Sequence, residues 1–469
     1  MSSEEQGHKK GSHEFPAASP GTAARERRPA GAGFGQLARH PRILLLQGPN
    51  GPFFARLRDY LEAAGSEVWK VNFNGGDDLF YRDGRINRFA APMTSWPSFL
   101  RDLLASQRID AIVVFGDCRR PHRMAAQVAR ELGIAFWVFE EGYVRPDYVT
   151  LEAGGVNANS PIAPLSLADV PAVRPPARRS SFAHGFAWMA WYSFWYFTGG
   201  MLGRRRYRHY RHHKPFGFQE LGCWLRAGAR KHLYRWQQRN SVAGLLAANG
   251  PAFFMVALQV HNDSQILTHS PWQRIEAFIE STLFSFARHA PTDSVLVIKH
   301  HPMDRGHTNY AAVIRACAQR LDIPGRVVYL HDAHLPTLLR HCSGLVTINS
   351  TAGLQALFHG VPVIALGRCF YAKEGITYQG SLDKFWRAAR PPDRKRVAHL
   401  RNYVIHVSQV NSSFYADPAP GRAAQPDGAS PGLWARLCCG PGLRAPWLLD
   451  AIGQAIPIAL QWAVTHIAA

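Results

Sequence analysis

Phe139-Glu140-Glu141-Gly142-Tyr143-Val144-Arg145-Pro146 sets two carboxylates and an arginine directly after the apolar run Ile134 to Phe139. Such a run reads as a buried strand, and in an open parallel sheet ligands bind beyond the carboxyl ends of the strands. Acidic residues there face a crevice, because a buried strand interior would exclude them. Taken alone the stretch is equally a solvated turn with a surface Glu pair. Its neighbours decide between the two.

Upstream, Ile43 to Leu46 reads as a buried strand, Gln47-Gly48-Pro49-Asn50-Gly51-Pro52 as the turn after it, and Phe53 to Ala64 as a helix stopped by Gly65. Val68 to Phe73 and Ala111 to Phe115 follow as strands, with helices over Ser98 to Ser106 and Arg123 to Leu132. The second half repeats the scheme. Apolar runs at Phe253 to Leu258, Val295 to Ile298, Val327 to Leu330, Leu345 to Ile348 and Val361 to Leu366 alternate with helical stretches. This alternation predicts an α/β protein of two Rossmann-like, doubly wound domains facing across a cleft. The boundaries expected are a disordered tail over 1–41, a first domain over 42–165, a connecting segment over 166–245, a second domain over 246–415 and an extension over 416–469.

A content of 46% hydrophobic and 12% aromatic residues supplies cores for two domains and excludes a disordered chain. The formal charge of +21 calls for an anionic partner, and nucleic acid, anionic lipid and a nucleotide-activated sugar all qualify. The run Arg204 to Lys214, with Tyr and His between its basic residues, could stack on single-stranded nucleic acid, but nothing else in the chain resembles a nucleic-acid module, so no nucleic-acid partner is expected. Residues 1–41 hold no hydrophobic signal core, which predicts a cytoplasmic protein. Seven cysteines scattered over the chain fit reduced thiols, and Cys438-Cys439 lack partner ligands at zinc spacing, so no metal site is expected.

The connecting segment differs in character. Phe182 to Gly203 contains no Asp, Glu, Lys or Arg but carries Trp188, Trp191, Trp195, Tyr192 and Tyr196, and Arg204 to Lys214 is basic. Three readings fit: in-plane contact with an anionic leaflet, a buried aromatic helix, or a span, the last opposed by the basic pair Arg178-Arg179 on the other flank. The tail Trp447 to Ala469 is largely apolar and interrupted by Pro457.

Three motifs of the second half carry chemistry. Lys299-His300-His301-Pro302 stands just beyond the strand Val295 to Ile298, where a lysine and imidazoles can meet a phosphate while proline fixes the departing chain. Asn349-Ser350-Thr351-Ala352-Gly353 would place hydroxyls and backbone N–H groups at a helix N-terminus, suited to an anion or to a plain N-cap. Gln259 to Gln265 brings Asp263 to the cleft edge, where a turn-capping Asp is the plainer alternative.

Together the Glu-Glu-Gly turn, the His-Pro pair and the Ser-Thr pair resemble the set used by bacterial sialyltransferases and related enzymes that take a sugar from a cytidine monophosphate carrier. From about Arg42 to Tyr415 the chain more closely resembles the capsular polysaccharide biosynthesis/export family and its β-Kdo transferases. The resemblance rests on Leu46 to Pro49 with Gly51 to Phe54, Asn72 to Asp77, Phe115 to Arg119, Phe139 to Thr150, Gln259 to Ile266, Lys299 to Gly306, Tyr329 to Asp332, Asn349 to Leu354 and Gly375 to Gly380.

The resemblance implies a GT-B-like retaining glycosyltransferase that moves β-Kdo from CMP-Kdo, its donor substrate, to a phosphatidylglycerol-type lipid. It would work without a cofactor, peripheral to the inner face of the inner membrane, with other capsule assembly proteins as further partners. The first domain would then hold the acceptor and the second the nucleotide sugar. Lys299, His301, Pro302, Ser350, Thr351 and Gly353 would bind the nucleotide phosphate, and Gln47, Gln259, Arg119 and Arg145 the substrates. Of the three carboxylates at strand ends, Asp263 is expected as nucleophile, Glu141 as the group that takes the acceptor proton, and Asp117 as a group orienting the sugar or Arg119. Two alternatives stay open: a non-catalytic component escorting capsule polymer during export, and an inverting, sialyltransferase-like enzyme with Glu141 as base.

Overall fold

Strand β1, Arg42–Leu45, buries Ile43 and Leu45 on one face and Leu44, with the following Leu46, on the other, as a strand covered by helices on both sides must. The computed structural model describes residues 33–416 except 179, 183 and 213–215. Readings made of residues 1–32, Arg179, His213-Lys214, Cys438-Cys439 and the tail Trp447 to Ala469 therefore lie outside the described residues.

In the first half β2 spans Glu67–Asn72, β3 Arg85–Arg88, β4 Ala111–Phe115, β5 Ala135–Glu141 and β6 Val149–Ala153. In the second, β7 spans Phe253–Ala257, β8 Val295–Lys299, β9 Val327–Leu330, β10 Gly344–Thr347, β11 Val363–Ala365 and β12 Gln409–Val410. The first sheet runs β12-β6-β5-β4-β1-β2-β3 and the second β11-β10-β7-β8-β9. All pairings in the second sheet are parallel, and two core clusters line the faces of each sheet. The fold class is the one expected: two Rossmann-like α/β domains facing each other.

The structure departs from the strand reading in three places. Glu140 and Glu141 end β5 instead of forming the turn after it, because β6 runs back antiparallel and pairs Glu140 with Thr150 and Glu141 with Val149. The turn is Gly142 to Tyr148, held so tightly that a Cβ on Gly142 would lie 2.2 Å from the Tyr148 carbonyl oxygen. Strand β3 carries arginines at both ends and has no apolar run to betray it. Strand β12 leaves the second half and pairs antiparallel with β6, and Phe414 beyond it packs edge-on against Phe53 and Phe115. Residues 409–416 thus complete the first domain's sheet and core, which the boundary of 246–415 does not anticipate.

The aromatic segment forms the helix Gly185–Leu202, docked on the short helix Gly75–Phe80. Glycine permits the contact, since a Cβ on Gly75 would lie 2.1 Å from the Gly199 carbonyl oxygen. Tyr196 is buried at that seam while Phe186 and Leu202 are 69% and 82% exposed, so the helix is docked along one side and open along another. No described helix is long and apolar enough to cross a membrane.

Candidate active site

The loops after β7, β8 and β10 meet at the carboxyl edge of the second sheet. Gln259, after β7, donates from Nε2 to Asp263 Oδ2 at 3.0 Å and to Asn349 Oδ1 at 2.9 Å, and its Oε1 accepts from the Asn349 N–H at 3.2 Å. Both ends of the amide are used, so Gln259 ties two loops together and positions Asp263. It is not an open ligand for substrate. Asp263 caps the helix Ser264–His269, accepting from the Gln265 N–H at 2.9 Å, and burial raises its pKa against those stabilising donors. The carboxylate is fixed in direction and only partly solvated.

Lys299 ends β8 and is buried. Burial, reinforced by Arg305, lowers its pKa to about 8. His301 begins the turn after β8 and accepts from the Met303 N–H through Nδ1 at 3.2 Å, which leaves Nε2–H as its donor. Burial and the neighbouring Lys299 lower its pKa to about 4, and Arg145 of the facing domain adds to the effect. Pro302 opens the short 3-10 turn Pro302–Asp304.

Ser350 caps the helix Thr351–Phe358, its Oγ accepting from the Ala352 N–H at 3.2 Å, and Tyr371 donates to the Ser350 carbonyl. Gly353 is needed because a Cβ there would lie 2.4 Å from the Tyr371 hydroxyl. A single phosphate pocket of Lys299, His301, Ser350 and Thr351 would call for adjacent strand ends. Instead β7 lies between β8 and β10, so the pairs stand two strand spacings apart, roughly 10 Å, with the β7 loop between them. A phosphate reaching both would sit over the end of β7, beside Asp263.

On the facing domain Glu140 and Glu141 close β5. Burial, then the charges of Glu141 and Asp117, raise the Glu140 pKa to about 7 against the Glu141 N–H that it accepts at 3.0 Å. Burial also raises the Glu141 pKa, and Arg145 and the Tyr415 hydroxyl oppose the shift. Asp117 accepts from the Val156 N–H at 3.2 Å and Asn159 Nδ2 at 2.9 Å through one oxygen and from the Cys118 thiol at 3.3 Å through the other. It fastens the 155–159 segment rather than facing open space. Gln47 is likewise occupied, by Tyr196 at 2.9 Å, Tyr210 at 2.7 Å and Arg119 at 2.9 Å, and Arg119 spends that contact on the protein.

The two domains touch around this edge. Cys118 Sγ lies 3.7 Å from His269 Nε2, Lys373 donates to the carbonyl of Ile162 at 2.9 Å, and the Tyr143 ring packs 4.4 Å from Phe370. Among the described residues, Glu220, Cys223 and His307 bring a carboxylate, a thiol and an imidazole within 4.8 Å of one another. His307 Nε2 is 3.1 Å from both Glu220 oxygens and Arg226 donates to Cys223 Sγ at 3.3 Å, while His307 Nδ1 is buried without a partner. The cluster clamps the helix Phe218–Gln237 to the loop after β8.

Residues 110–415 match the family of capsule polysaccharide biosynthesis proteins. This chain belongs to that family. It is 40% identical over 384 residues to the capsule polysaccharide export protein KpsS of Escherichia coli, spanning 80% of this chain and 97% of that one. It is 41% identical over 383 residues to the capsule polysaccharide modification protein LipB of Neisseria meningitidis, spanning 80% and 91%. Among solved structures, the KpsC β-Kdo 2,4 transferase of Thermosulfurimonas dismutans superposes with a TM-score of 0.38 at 14% identity over 77% of this chain and 89% of that one, too loosely to bear on chemistry.

Within this family member, sequence reasoning passed over several groups at the cleft. Glu140 was visible beside Glu141 but not separated from it; only the pleat shows which carboxylate the field of Asp117 reaches. Glu152 accepts from Tyr143 at 2.9 Å and Ser160 at 2.8 Å, and burial raises its pKa to about 8. No motif marked it, because a single Glu inside an apolar strand carries no signal until its partners are known.

Proposed function

We propose that the chain is a retaining glycosyltransferase that moves β-Kdo from CMP-Kdo to a phosphatidylglycerol-type lipid at the inner face of the inner membrane. The observation that supports this best is the pairing across the cleft: a directed carboxylate at Asp263 beside the Lys299 and His301 loop, opposite the Glu140-Glu141 strand end and Arg145. In the first step the Asp263 carboxylate attacks the anomeric carbon and the phosphate departs toward Lys299, His301, Ser350 and Thr351. In the second, the lipid hydroxyl attacks the glycosyl ester as Glu141 takes its proton, giving net retention. The exposed aromatic and basic residues of the connecting segment face the lipid.

Incubating the protein with CMP-Kdo and a phosphatidylglycerol lipid, then reading product mass and anomeric configuration, tests the reading. Asp263→Asn and Glu141→Gln are expected to abolish transfer with folding intact, and Asp117→Asn to lose less. With a poor acceptor, mass spectrometry should find the sugar on Asp263. An adduct on Glu141 or Asp117, or near-normal activity of Asp263→Asn, overturns the nucleophile assignment. The inverted anomer would establish Glu141 as base of an inverting enzyme, and capsule polymer binding without turnover would establish an export component.

A further inference from the structure

The loop after β7 carries a second chemical group, two residues before Asp263. His261 donates its backbone N–H to Asp304 Oδ2 at 3.2 Å and sets Nδ1 2.5 Å from Asp304 Oδ1. Asp304 is fully buried and also accepts from Thr308 Oγ1 at 2.7 Å, whereas the imidazole keeps 38% of its side-chain surface exposed. A buried carboxylate on Nδ1 fixes the tautomer and ring orientation, and it leaves Nε2 as the nitrogen available to a ligand. Asp304 belongs to the turn that begins at His301, its N–H donating to the His301 carbonyl at 3.0 Å, so His261 and His301 are carried on one rigid unit beside the place argued for the phosphate.

We propose that His261, held by Asp304, is the proton donor to the departing nucleotide phosphate. The assignment rests on the transferase reading above and deepens it. As the bond between the anomeric carbon and the phosphate oxygen breaks and the Asp263 carboxylate forms the new bond to that carbon, the Nε2 proton of the imidazolium passes to the phosphate. CMP leaves with the proton, and neutral His261 remains bound to Asp304 through Nδ1–H. The acceptor's own proton goes to Glu141 in the second step, and exchange with water restores both groups. His301 is less fit for this task. Burial and Lys299 keep it neutral, and its Nδ1 is occupied by Met303, so it offers a hydrogen bond without a transferable charge. The neighbours of His261 agree with a held, directed ring. His307 stacks over it with centroids 5.8 Å apart and is itself paired with Glu220.

Single-turnover release of CMP from CMP-Kdo, measured for the wild-type protein and for His261→Gln, His261→Gly and His301→Ala, tests the proposal. Loss of a general acid is expected to slow release in His261→Gln by about a hundredfold or more while equilibrium binding of CMP stays unchanged. Added imidazole should restore part of the rate in His261→Gly, which a structural role would not allow, and His301→Ala should weaken CMP binding more than it slows release. Near-normal release by His261→Gln, or a loss of CMP binding that explains its slow release, overturns this assignment alone. If the wild-type protein releases no CMP from the donor, the transferase reading itself fails.

Discussion

Lys299 is a buried lysine at the sheet edge. Burial and the Arg305 guanidinium hold its pKa near 8, well below the usual lysine range, and only Asp332 opposes them. An ammonium so placed regains its proton affinity when an anion arrives, so phosphate binding and protonation are linked. The sign follows directly. CMP affinity should be full below about pH 8 and fall as the pH rises through it, and binding near that pH should take up protons. Calorimetric titration in two buffers of different ionisation heat reads the uptake. Lys299→Met should abolish it and cost about 1.5–3 kcal/mol of CMP affinity, the range for a hydrogen bond to a charged group. Proton uptake that survives in Lys299→Met would assign it elsewhere. This residue was legible in the sequence, since a lysine one step past an apolar run must stand at a sheet edge. Glu140 and Glu152 were not, because their raised pKa values come from burial and from the charge of Asp117, which the fold brings near both and no local pattern pairs with either.

The helix Gly185–Leu202 shows the same division among elements. Its existence could be read from an uncharged run of aromatic residues, but its partner could not, because the contact depends on glycines at 75, 76, 199 and 203 removing side chains from both surfaces. At the centre Tyr196 Oη receives Gln47 Nε2 at 2.9 Å and Asn74 Nδ2 at 2.8 Å and donates to Asp77 at 2.9 Å. Gln47 was expected on substrate, and a hydroxyl 149 residues further along the chain claims it instead. The β-hairpin of β5 and β6 and the return of β12 escaped for a like reason: antiparallel partners are set by tertiary closure, whereas the parallel strands other than β3 announced themselves as isolated apolar runs. Tyr196→Phe removes one oxygen from a buried network of three partners and is expected to cost about 1–3 kcal/mol. Gly199→Val should undock the helix altogether. Urea unfolding followed by tryptophan fluorescence measures both, and a Gly199→Val protein as stable as wild type would mean the glycine seam does not hold the helix.

Across the whole molecule, a net charge of +21 has to be reconciled with a chain that buries two complete α/β cores. Charge of that size keeps molecules apart in solution and draws them to anionic surfaces. In the connecting segment the basic and the apolar residues occur together: Arg204, Arg205 and Arg206 are exposed, and so are Phe186, Leu202, Leu225 and Trp236 at 69%, 82%, 63% and 62%. Exposed aromatic and aliphatic side chains beside arginines suit the headgroup region of an anionic leaflet, where rings lie at the interface and guanidinium groups meet phosphates. Docking through Tyr196 and Gly75 would then hold that surface next to the domain expected to receive the lipid. Vesicles containing phosphatidylglycerol should therefore bind the protein and zwitterionic vesicles should bind it weakly. Salt should weaken the anionic case, since exposed charges are screened beyond about 8 Å at physiological ionic strength. Replacing Arg204, Arg205 and Arg206 by Ser should remove about 1 kcal/mol per residue, a loss of about a hundredfold in partitioning for the three together. The same triple variant should keep its activity on a detergent-solubilised short-chain acceptor, because none of the three arginines belongs to the cleft. Vesicle binding that ignores both salt and the triple replacement would move the membrane contact to another part of the chain.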